Sequence, residues 1–152
     1  MTALAIALHT LGAVVWVGGM FAAYMCLRPA AGQMDPPVRL MLWTRFFAKF
    51  FPWVWVAILL ILASGYWMVF VTYGGFYNIG MHVHLMQGIG WLMIALYLWL
   101  FHGPWLQLKR AIAASDWPTA GANLNRIRQI ISINLPLGLL VVMIGSSGRY
   151  WG

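Results

Sequence analysis

Four histidines, His9, His82, His84 and His102, are the residues most able to do chemistry in an otherwise apolar chain. Ionisable side chains inside apolar runs are rare and usually functional. His9 sits about 9 Å into the first apolar run, and His82 and His84 begin the third. His102 falls roughly 27 Å beyond His84 along the same helix, at the opposite end. One end of the molecule therefore gathers up to three imidazoles and the other has one.

Two metal chemistries suit this set. In the first, His9 and His84, from different helices, clamp the iron of a haem b from opposite faces. Glycines near them let a flat macrocycle approach the backbone: Gly12 follows His9 at i+3, with Trp16 and Gly19 further along, and Gly88 follows His84 at i+4, with Gly90 nearby. Residues three and four apart share a helix face. His82 lies about 200° around the helix from His84, so it faces elsewhere, towards the aqueous rim. Arg149 near the end of the chain is the one fixed cation close enough for a haem propionate. In the second chemistry, Met81-His82-Val83-His84-Leu85-Met86 packs two imidazoles and two thioethers into six residues. Such ligands suit Cu(I), making Met81, His82, His84 and Met86 the copper set. A third possibility is a structural membrane subunit whose histidines are solvated, whose glycines serve only helix packing and whose ten methionines only fill space.

What is missing narrows the functions. The two acidic residues, Asp35 and Asp116, both fall in connecting segments. No carboxylate is left in any apolar run for a proton relay, and no serine–histidine–acid set can form there. Chemistry borrowed from a cofactor, with a quinone, a porphyrin or a small oxidant as partner, fits better than hydrolysis or proton pumping.

The elements that must position these residues are membrane helices. The 152 residues are 63% hydrophobic and 7% charged, against about 25% charged in soluble domains. A span needs about 20 apolar residues. Four runs qualify, at 3–27, 50–72, 82–106 and 129–147, and predict an all-α four-helix membrane bundle in a single domain, residues 1–152. Tyr73 to Gly80, rich in glycine and asparagine, is the turn between the second and third. No basic residue precedes the first run, which is long enough to span, so it reads as a helix rather than a cleaved signal. Val38 to Phe50 mixes cations with Leu, Trp and Phe and predicts an interfacial helix leading into the second span. Ser115-Asp116-Trp117-Pro118 has the polar cap and early proline of a helix start. Asn134, beside Pro136, is a candidate to cap backbone groups that the proline frees.

The net charge of +7 does not point to nucleic acid, because of where the charges sit. Arg28, Arg39, Arg45 and Lys49 face Asp35 alone in one connection. Lys109, Arg110, Arg126 and Arg128 face Asp116 alone in the other. Basic connections on one side and an uncharged turn on the other place the basic side in the cytoplasm. Both termini and the 74–81 turn then face outward, which in a bacterial inner membrane means the periplasm. The single Cys26 excludes an intramolecular disulfide.

Several stretches resemble a known family. Leu8-His9-Thr10-Leu11-Gly12-Ala13-Val14-Val15-Trp16-Val17-Gly18-Gly19-Met20-Phe21 resembles the first helix of small CopD-type membrane proteins. Val83-His84-Leu85-Met86-Gln87-Gly88, and Arg126-Ile127-Arg128 with Asn134-Leu135-Pro136-Leu137-Gly138, are similar to further parts of it. The resemblance implies copper resistance or copper import. It also implies kinship with HemJ-type protoporphyrinogen oxidases, which bind haem b through a first-helix histidine, matching His9, and a third-helix histidine–x–lysine motif. His84 matches that histidine, and Met86 stands where the lysine would be, which leaves either His84 or Met86 opposite His9. The function expected on these grounds is a haem b redox protein acting at the periplasmic face, with copper import or handling as the alternative. A homodimer would shield a macrocycle better than one four-helix chain.

Overall fold

The computed structural model describes residues 1–151 and is helical nearly throughout. Helix α1 is Thr2–Phe21, α2 is Pro36–Trp67, α3 is Met81–His102, α4 is Pro104–Ala113 and α5 is Trp117–Ser147. Wider π-type turns, Ala22–Leu27 and Met68–Thr72, extend α1 and α2. Among the described residues, four helices, counted with these extensions, are long and apolar enough to cross a membrane, at 2–33, 36–72, 81–113 and 117–150. The chain is an all-helical multi-pass membrane protein.

Local chemistry sets the boundaries. Pro36 and Pro37 open α2, where their missing N–H groups cost nothing. Gly74 (φ 74°) and Gly75 (φ 124°) reverse the chain after α2 in backbone conformations that disfavour a side chain. Asp116 caps α5 by accepting from the Thr119 N–H at 3.2 Å. The segment 38–50 is helical, as expected, and leads into the span without a break as the first half of α2. The third apolar run, in contrast, is interrupted at Gly103 (φ −104°, ψ −96°), and Pro104 starts α4.

Helix α1 packs on α2, and α3 and α4 pack on α5; α5 also reaches α1 and α2 and so joins the two halves. In lipid, close packing rather than the hydrophobic effect drives such association, and small residues permit it. Gly12 is one of them. A Cβ there would meet the Ala57 carbonyl oxygen at 3.0 Å and Ile61 Cγ1 at 2.8 Å. Gly138 of α5 is another, pressed by Val17 of α1 and Met93 of α3. Asn134 does not cap the backbone around Pro136. It is buried, and its amide donates to the Met93 carbonyl at 3.3 Å, tying α5 to α3.

The core is densest toward the basic end. Phe47 and Phe51 stack at 4.9 Å, Trp105 meets Phe51 edge-on at 5.2 Å, and the Tyr97 hydroxyl donates to the Phe51 carbonyl at 3.1 Å. The buried residues of α3 are Met93, Ile94, Tyr97 and Leu100. Its first twelve residues, 81–92, are half-buried or exposed. The part of α3 that carries the histidines thus lies at the edge of the bundle.

Candidate metal site at the terminal end

Val17, Gly138 and Met93 meet in mid-bundle and give a common level for counting. His9 lies eight residues from Val17, and Met86 and Gly145 lie seven residues from Met93 and Gly138. All three are therefore roughly 11–12 Å above that level, toward the end that holds both termini. His82 and Gly148 lie about one turn beyond them.

Helix α3 turns the two histidines of its first turn, His82 and His84, to different sides. The His82 ring is wedged between two glycines. A Cβ on Gly80 would sit 2.8 Å from its Nδ1, and a Cβ on Gly148 would collide with its Cβ and approach its Cδ2 to 2.8 Å. Trp151 lies edge-on, its ring centre 6.4 Å from that of His82. So His82 is half-buried and seats on the end of α5. Met86, four residues on, shares that face. It rests on Gly145, where a Cβ would meet its terminal carbon at 3.0 Å and its sulfur at 3.4 Å. Two glycines three apart, Gly145 in the last turn of α5 and Gly148 just after it, thus accept an imidazole and a thioether four apart on α3.

His84 is exposed. It shares a stripe with Gln87, Gly88 and Trp91, and Gln87 and Trp91 donate to the Tyr66 hydroxyl of α2 at 2.9 and 3.1 Å. Gly88 is exposed and faces open space. Met81 is exposed too. Arg149 is exposed, its guanidinium stacked 4.9 Å over the ring of Tyr150.

His9 belongs to the other half of the bundle. Its Nδ1 is 3.1 Å from the Ile61 carbonyl and 3.1 Å from the Ser64 hydroxyl, and its ring lies against Gly65, all on α2. A carbonyl only accepts, so Nδ1 carries the proton and Nε2 keeps the lone pair. That is how proteins commonly orient a metal-ligating imidazole. Ser64 is held in turn by the Leu60 carbonyl. Trp16 is buried, edge-on to Tyr97 of α3 at 6.1 Å, and Gly12 is spent on helix packing. Among the described residues, Nδ1 of His9 and Nδ1 of His102 are hydrogen-bonded, and no ring nitrogen of His82 or His84 is.

This arrangement does not fit a haem clamp within one chain. The His9 imidazole is tied to α2 and His84 lies on the exposed side of α3, and α1 and α3 share little surface. Nor do three or more of His, Cys, Asp and Glu gather anywhere among the described residues. What the terminal end does place on one face of α3 is an imidazole and a thioether, His82 and Met86. Ser64, Gly145 and Gly148 went unremarked in the sequence; the i,i+3 glycines at the end of α5 were the available signal.

Residues 44–147 match the family described as copper resistance protein D, CopD. That is most of the chain, and the protein belongs to this family. No curated protein and no solved structure matches it.

Proposed function

We propose that the protein binds copper at its terminal end and carries or hands it across the membrane. The observation that supports this most is the His82–Met86 pair, seated on one face of α3 over Gly148 and Gly145. The pair joins an unbonded imidazole to a thioether, a soft set that suits Cu(I). Met81 and His84, both exposed and one turn or less away, are the groups from which a passing ion would be received. The basic connections at the other end favour a cytoplasmic position for that end, so the copper pair faces the periplasm. His9, with Nε2 held free, is the next imidazole inward.

The test is copper accumulation in cells that lack their own uptake route. Cells producing the native chain gain copper over an empty-vector control. His82→Ala and Met86→Leu abolish the gain at equal protein levels. Equal accumulation with both variants would contradict the proposal.

A further inference from the structure

The basic end holds a second constellation that the copper reading leaves unused. Arg128 of α5 is half-buried, with its guanidinium 5.1 Å over the ring of Trp43 on α2. Its Nε is buried and has no hydrogen-bond partner. Trp43 is 1% exposed, and its indole N–H is also buried without an acceptor. Arg28 follows the Ala22–Leu27 turn, which packs on α5, and Arg39 lies one turn from Trp43 on α2, so the charges of both act on Arg128. Arg28 is steadied by the Tyr24 ring at 4.7 Å, and Arg39 by the Gly32 carbonyl at 3.4 Å.

Three cations from three elements thus lie near one another, and among the described residues none of them makes an ion pair. The chain has two carboxylates. Asp116 is engaged at the start of α5, and the Asp35 side chain, at the start of α2, makes no cap hydrogen bond. The positive-inside tendency accounts for basic residues at this end, but it asks only that they reach water, as exposed Arg45, Lys49 and Arg126 do. It does not account for a guanidinium drawn inward over a buried indole beside two like charges. Buried polar donors left unpaired are costly, and like charges held together repel. A bound anion offsets that repulsion, and the planar guanidinium is suited to phosphate oxygens.

We infer that Arg28, Arg39 and Arg128 form a binding site for a phosphate oxyanion at the membrane surface, with Trp43 and Tyr24 as its aromatic wall. The phosphate is presented by an anionic lipid headgroup or by free phosphate, and the experiment separates these sources. The purified chain in detergent is given phosphatidylglycerol or phosphatidylcholine and its retained lipid is read by native mass spectrometry. Inorganic phosphate is titrated separately, with thermal stability as readout. Phosphatidylglycerol retained over phosphatidylcholine assigns the site to lipid, and a saturable shift with inorganic phosphate alone assigns it to the free ion. In either case Arg128→Gln weakens the effect by about tenfold or more, and Arg126→Gln, two residues away and exposed, leaves it unchanged. Should Arg128→Gln fold poorly, the double change Arg28→Gln with Arg39→Gln, outside the core, gives the same loss. No preference for either probe, or equal losses with Arg126→Gln, would overturn the assignment.

Discussion

Met86 of α3 rests on Gly145 of α5, and a Cβ at that glycine would stand 3.0 Å from the methionine's terminal carbon. One turn nearer the end, Gly148 receives His82 still more closely, against the root of the side chain rather than its tip. The difference separates two substitutions. In Gly145→Ala a flexible thioether shifts aside, and the protein folds with near-native stability. In Gly148→Ala the obstacle is the His82 Cβ, which moves only if α3 moves. Thermal unfolding in detergent is expected to show a clear loss for Gly148→Ala and little for Gly145→Ala, and copper binding should fall in the former.

The α1–α2 contact gives a second comparison. Gly12→Ala drives a methyl group into the Ala57 carbonyl and Ile61, and overpacking of this kind costs about 1–3 kcal/mol. Gly18→Ala meets nothing within 4 Å and should be neutral or slightly stabilising, since alanine is the better helix former. Equal melting temperatures for the two variants would show that α1 does not dock on α2 through Gly12.

Asn134 presents a different balance. Its amide N–H reaches the Met93 carbonyl, but its Oδ1 is buried without a donor. An interhelical hydrogen bond in a membrane protein contributes roughly 1 kcal/mol, while the unpaired oxygen opposes it. Asn134→Leu, similar in size, is expected to change stability by no more than about 1 kcal/mol in either direction. Asn134→Ala, which also leaves a void, should be the less stable of the two.

The helix cap at Asp116 makes stability depend on pH. Hydrogen bonding to Thr119 holds its carboxyl below the ordinary carboxylate range. A group whose folded pKa is depressed contributes stability above its unfolded value, about 3.9, and loses it as pH falls through the lower folded value. Asp116→Ala should therefore narrow its stability gap to the native chain as the pH drops from 6 to 3. A gap that stays constant would show that the cap is not the cause.

The four spans and their turns were legible because hydropathy and glycine placement act locally. The capping of α5 by Asp116 was legible for the same reason. The break at Gly103 was not, since the apolar run continues past it and its glycine–proline step resembles others that helices tolerate. The side of α3 on which each histidine lies was hidden for a physical reason. A membrane helix is apolar all round, so no polar face marks its exterior, and residues 200° apart look equivalent. That is why His84, beside Gly88, read as the inward ligand while His82 is the one packed on α5. Packing partners such as Ser64 for His9, or Trp43 for Arg128, depend on which helices meet, and no local pattern carries that information.

The most direct measurement is Cu(I) titration of the detergent-purified protein against a coloured Cu(I) chelator, with His82→Ala, Met86→Leu and His84→Ala alongside. The native chain should withdraw copper from the chelator. His82→Ala and Met86→Leu should each weaken this by about tenfold or more, and His84→Ala should leave it nearly unchanged. A native chain that leaves the chelator's copper untouched, or that purifies with a reduced haem b absorption band lost in His9→Ala and His84→Ala, would contradict the copper assignment.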